Sequence, residues 1–124
     1  MSQTTLEELV KLLLPEGLLD YFDVTKIHTD SKEIWIYLEE LNLIPQEYTN
    51  QKLVSKGFLP ESSIQDFPMR GKPVLLFVKR RRWLNTDTGE LVSRNWNLVA
   101  EGTRMTQEFA SFLKAISRYR PYKL

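Results

Sequence analysis

Apolar residues recur along this chain with two different spacings, and the change from one to the other marks out its segments. Leu6, Leu9, Val10, Leu13 and Leu14 follow a helical period, and Thr5-Leu6-Glu7-Glu8 reads as a capping box, so a helix is predicted near 5–14. Pro15 suits the start of another short helical turn, with Leu18, Leu19, Tyr21 and Phe22 as its apolar side. From Asp23 the period becomes two. Val24 and Ile27 precede the polar cluster Thr29-Asp30-Ser31-Lys32; beyond it Ile34, Ile36 and Leu38 point one way, Trp35 and Tyr37 the other. The pattern predicts a hairpin with one buried face.

Residues 42–73 contain Pro45, Pro60, Pro68 and Pro73 with Gly57 and Gly71, which predicts an irregular connection carrying short extended pieces. Val74 to Trp83 is the clearest strand. Alternation puts Val74, Leu76, Val78, Arg80 and Arg82 on one face and Leu75, Phe77, Lys79, Arg81 and Trp83 on the other. Asn85-Thr86-Asp87-Thr88-Gly89 has the composition of a turn, after which Glu90 to Leu98 returns as the partner strand. Gly102 and Thr103 then open a helix in which Met105, Phe109, Phe112, Leu113 and Ile116 share a face, leaving Arg104, Gln107, Ser111, Lys114 and Arg118 to solvent.

Composition adds boundaries. With 124 residues, 42% hydrophobic and 27% charged, the chain is globular and long enough to hold a core. It has no cysteine, which excludes disulfides, thiolate metal sites and a cysteine nucleophile. No apolar run approaches the roughly 20 residues that span a bilayer, and Met1 to Val10 carries glutamates where a signal peptide carries positive charge. A cytoplasmic protein without membrane contact is expected.

The net charge of +1 conceals a division. Residues 1–66 hold 12 Asp and Glu against 5 Lys, whereas residues 67–124 hold 4 Asp and Glu against 12 Lys and Arg. All eight arginines lie in the second part, and arginine is the side chain whose planar fork suits phosphates.

Lys79-Arg80-Arg81-Arg82-Trp83 is the first candidate for function. Adjacent cations repel one another, so the run points to an anionic partner such as a nucleic-acid backbone, with Trp83 free to stack on a base; the plainer reading is a solvated strand end with Trp83 in the core. Arg94 and Trp96 share a side of the returning strand and would sit near that cluster. Arg94 is the better binding candidate of the two, and Trp96 the better core anchor. His28 has no neighbouring Cys or His and is read as a surface residue. The pairs Glu7/Glu8 and Glu39/Glu40 diverge in direction, so neither suits a shared proton and both are read as aids to solubility. The sequence holds no phosphate-binding glycine loop, nucleophile elbow or zinc-protease helix, and so no self-contained active site.

The segment from Ile64 to Trp83, IQDFPMRGKPVLLFVKRRRW, resembles a signature of bacterial insertion-sequence transposases. In their N-terminal region Asp-Leu-Pro, two variable residues, Gly-Lys/Arg-Pro-Val and an alternating strand lead into paired arginines and an aromatic. Asp66, Pro68, Gly71, Lys72, Pro73, Val74, Arg81, Arg82 and Trp83 match, and Phe67 replaces Leu. The family's strand continues into a zinc knuckle, Cys-x-x-Cys-Gly, whose positions are Asn85, Thr88 and Gly89 here, so zinc is not carried over and packing by Leu84, Leu91, Val92, Trp96 and Leu98 must hold the hairpin. Val99 to Phe109 resembles the family's entry into a helix-turn-helix. The catalytic domain of full-length relatives, which holds metal ions with three acidic residues, has no counterpart before Leu124.

Together these observations predict an α+β fold: N-terminal helices with a short β-hairpin, then a metal-free zinc-ribbon-like hairpin and a C-terminal amphipathic helix. Two lobes, 1–46 and 47–124, or one compact domain are compatible with this. The resemblance implies a non-catalytic transposase component without cofactor or metal, which binds the DNA of mobile-element ends beside a separate catalytic chain. Its phosphate contacts would be Lys79, Arg80, Arg81, Arg82 and Arg94, with Arg70, Lys72 and Arg104 in second rank. The alternative is a protein-interaction adaptor in which the acidic first part docks on a basic surface of the catalytic chain, or masks the arginines intramolecularly, and DNA is never touched. An enzyme is disfavoured, because the basic part offers only Asp87, Glu90, Glu101 and Glu108 as carboxylates.

Overall fold

The computed structural model describes residues 3–15 and 17–96 together with Phe112 and Ala115. Helix α1 (Gln3–Leu13) and a 3-10 turn (Leu18–Asp20) lead into β1 (Phe22–Thr29) and β2 (Ile34–Glu40). After a second 3-10 turn (Gln46–Tyr48) come β3 (Leu53–Phe58), β4 (Ser62–Met69), β5 (Lys72–Lys79), β6 (Arg81–Asn85) and β7 (Leu91–Ser93). These strands form a four-stranded sheet in the order β1-β2-β5-β4 and a three-stranded sheet in the order β3-β6-β7. The predicted α+β class is thereby corrected: the described chain is mostly β, with one short helix and two 3-10 turns. The predicted helix over 104–118 lies outside the described residues except for Phe112 and Ala115, which are helical. None of the described helices is long and apolar enough to cross a membrane.

Helix α1 starts at Gln3, so Thr5 falls inside its first turn and does not cap it. Leu14 just beyond the helix is buried and Val10 packs partly buried against the core, while Leu9, Leu12 and Leu13 are exposed. The β1–β2 hairpin forms where the polar cluster predicts it. Asp30 Oδ1 accepts from the amides of Lys32 (2.7 Å) and Glu33 (2.9 Å), and these bonds hold the Asp30 carboxyl below its ordinary pKa.

Strand β2 pairs in parallel with β5, and a parallel neighbour requires a long crossover. Residues 41–71 supply it and contain β3 and β4, full strands where the prolines and glycines predict only short extended pieces. Pro68 is tolerated because β4 is an edge strand, bulged between Asp66 and Met69. The β4–β5 tip places Arg70 at φ 54° and Gly71 at φ 77°, the two consecutive positive values of a type I′ turn.

Strand alternation places the core. Phe22, Ile36, Leu38, Ile64, Val74, Leu76 and Val78 line one face of the four-stranded sheet and pack with Leu14, Leu18, Trp96 and Phe112. Trp96 stacks on Phe22 at 5.4 Å, and Phe112 meets Phe22 edge-on at 5.7 Å. On the opposite face Trp35, Tyr37 and Phe77 contact one another. The single strand predicted from Val74 to Trp83 is broken at Arg80, so β5 ends in one sheet and β6 begins in the other.

Candidate functional site

The break at Arg80 sets the chemistry of the basic run, because it carries Arg81 across the end of β2, where Glu40 lies. Alternation from Ile36 and Leu38 sends Glu40 to the core face, and it is 1% exposed. A carboxylate so placed needs partners. Its Oε1 accepts from the Arg81 amide at 3.0 Å and its Oε2 from Arg94 Nε at 2.8 Å, while its backbone carbonyl accepts from Arg81 Nε at 3.0 Å. Arg81 NH1 also donates to Ser55 Oγ, and Arg94 NH2 to the carbonyl of Leu43. One buried acid thus ties β2 to β6 and to the segment after β7.

Aromatic rings complete the enclosure. The Arg94 guanidinium carbon lies 5.1 Å from the Tyr21 ring centroid, 5.7 Å from Trp83 and 5.8 Å from Trp96. Trp83 is fully buried and donates Nε1 to Asn42 Oδ1 at 2.9 Å, which gives its one polar atom a partner. Burial raises the Glu40 pKa above its ordinary value, opposed by the bonds and charge of Arg94 and Arg81. Burial likewise works against the charge of Arg80, with Glu40 as the opposing influence, and Arg80 Nε is buried without a partner.

Phosphate contact needs guanidinium groups that face solvent, and for Arg81 and Arg94 the structure corrects the expected role: both are tied to Glu40, Arg94 with a side chain 7% exposed. Arg82 is half-buried and gives Nε to the carbonyl of Lys56 at 3.1 Å. Lys79 is half-buried opposite Glu39 in the register, and Arg80 is half-buried at the strand break. Lys72 donates Nζ to the carbonyl of Asp30 at 2.7 Å, linking two hairpin tips. Arg70 is the one exposed side chain among these seven, and Arg104 lies outside the described residues. The described exposed residues include eight acids (Glu8, Asp20, Asp23, Asp30, Glu47, Glu61, Asp87, Glu90) against six bases (Lys11, Lys26, Lys32, Lys52, Lys56, Arg70), so the described surface is not basic.

The turn after β6 is organised by side-chain hydrogen bonds. Asn85 Oδ1 accepts from the amides of Asp87 (3.0 Å) and Thr88 (3.2 Å), and Asn85 Nδ2 donates to Gln51 Oε1 at 2.7 Å. Thr88 Oγ1 accepts from the Glu90 amide at 3.2 Å. Side-chain hydrogen bonds thus organise both Asn85 and Thr88. These residues do not fit a zinc ion, because an amide and a hydroxyl committed to the turn supply no soft ligand. Among the described residues no three His, Asp or Glu side chains converge on a metal-sized site. His28 is exposed beside Trp35, 3.6 Å from Asp30.

Sequence reasoning missed Glu40, which it grouped with Glu39 as an aid to solubility. The signal was present, since Glu40 continues the phase of Ile36 and Leu38. It also passed over Lys52, just before β3, and Lys56, within it, both exposed. In comparisons with known proteins, no family, curated protein or solved structure matches this chain.

Proposed function

We propose that this chain is a non-catalytic component of a transposition machinery and works by docking on a separate catalytic chain. The resemblance over residues 64–83 supports the setting, and the engagement of Arg81 and Arg94 by Glu40 carries the docking mode. To approach phosphate Arg94 must leave the Glu40 carboxylate and its aromatic enclosure, and Arg81 its bonds to the Glu40 carbonyl and Ser55; breaking a buried ion pair costs about 3–5 kcal/mol. A partner that accepts folded surface asks for no such opening.

A second reading keeps direct contact with the DNA of mobile-element ends. It is favoured by Arg70, exposed on a hairpin tip beside Lys72. Phosphate contact there would position DNA without reading its sequence.

Co-expression of the full chain with the catalytic transposase of the same element tests the proposal. A complex that survives nuclease treatment is expected. A complex that dissolves on nuclease treatment, with a duplex of the element end bound by this chain alone, would overturn docking in favour of DNA contact.

A further inference from the structure

Strands β3, β6 and β7 contain no Asp or Glu, although carboxylates are common elsewhere on the described surface. Their outer face carries an aliphatic row. Val54 lies opposite Leu84 and Leu84 opposite Leu91, while the neighbouring Trp83 turns inward and is fully buried, which directs this row to solvent. Val54 is 48% exposed and Leu91 51% exposed. The row crosses three strands, so its apolar contact runs about 10 Å.

Cations border the row on both sides. Lys52 and Lys56 stand two residues before and after Val54, and both are exposed. Arg82 stands two residues before Leu84 and lies over the bulge in β3, where its NH2 would be 3.7 Å from a Cβ at Gly57. Gly57, at φ 73°, takes the left-handed backbone conformation at that bulge. Among the described residues no carboxylate pairs with these three cations.

We propose that this face docks an acidic amphipathic protein segment, its apolar side chains on Val54, Leu84 and Leu91 and its carboxylates on Lys52, Lys56 and Arg82. An apolar centre with a charged rim is the anatomy of a protein interface. Single-stranded nucleic acid would need aromatic rings on which bases stack, and the row has none; a duplex would leave the aliphatic row against phosphates. The inference rests on the docking reading in assigning the segment to the catalytic chain.

The probe is a synthetic fluorescent peptide with leucines at i, i+3, i+4 and i+7 bordered by glutamates, titrated with the full chain by anisotropy. A peptide with lysine in place of each glutamate and a DNA duplex are the comparisons. The acidic peptide is expected to bind, the lysine peptide not to bind, and Leu91→Asp or Lys56→Glu to weaken binding at least about tenfold. Both positions are exposed, and an unchanged circular dichroism spectrum verifies the fold of each variant. Failure of the acidic peptide to bind, or binding unaffected by the variants, overturns the face; so does a duplex that binds in a Lys56-dependent way while the peptide does not. The same variants in the co-expression experiment separate the two proposals. A nuclease-resistant complex unaffected by both variants would remove this face and keep docking, whereas peptide binding without any complex would keep the face and remove docking on the catalytic chain.

Discussion

Glu40 and Arg94 meet at 2.8 Å with side chains 1% and 7% exposed, so an acid from the first part of the chain neutralises a base from the second in the interior. Removal of the base leaves the acid buried without its charged partner, only the Arg81 amide still donating to it. Arg94→Ala should therefore destabilise the protein by about 3–5 kcal/mol, whereas the double change Glu40→Leu with Arg94→Met should recover much of that loss. Urea denaturation of the unaltered protein, the Arg94→Ala variant and the double variant checks this.

The Glu40 carboxyl is held above its ordinary pKa by burial, the bonds to Arg94 and Arg81 only partly opposing it. The native state then binds this proton more tightly than the unfolded chain. Its contribution to stability is fullest below the ordinary glutamate value and falls as pH rises through the raised value. Carbon-detected NMR of the Glu40 carboxyl should give a midpoint above that of a model glutamate. In Glu40→Gln the matching decline in stability should vanish.

At the β4–β5 tip, Arg70 adopts φ 54° although a side chain with a Cβ disfavours that region. Asn-Gly is the pair that a type I′ turn prefers. Arg70→Asn should stabilise the fold by about 1 kcal/mol and raise the melting temperature by a few degrees, measured by thermal unfolding. A lower melting temperature would show that Arg70 makes a favourable contact outweighing its backbone strain.

Asn85 is 5% exposed and supplies three side-chain hydrogen bonds around the β6–β7 turn. Asn85→Ala leaves the Asp87 and Thr88 amides without that acceptor and should cost about 1–3 kcal/mol. Amide exchange at Asp87 and Thr88 should accelerate more than exchange in β2 and β5.

Much of the local structure was legible in the sequence. The alternation of Ile34 to Leu38 and of Val74 to Val78 identifies β2 and β5 and their core faces, and the polar cluster at Thr29–Lys32 locates their first hairpin. What alternation cannot state is which strand lies beside which, so the parallel pairing of β2 with β5 was not legible, nor was a sheet that joins residues on both sides of position 46. Pro60, Pro68 and Gly57 disguise β3 and β4, because edge strands and bulges accommodate residues that interior strands exclude. The basic run was conspicuous, but its meaning depended on a backbone break at Arg80 and on a glutamate 41 residues before Arg81, a tertiary relationship that no local pattern encodes.

The most direct test of the proposed docking function is the salt dependence of binding between the full chain and a DNA duplex. With Arg81 and Arg94 engaged by Glu40, little binding is expected, with a log-log slope no steeper than about −2 from cations such as Arg70 and Lys72. A slope of about −4 to −5, equivalent to about five neutralised phosphates, would contradict the account and return the basic run to DNA.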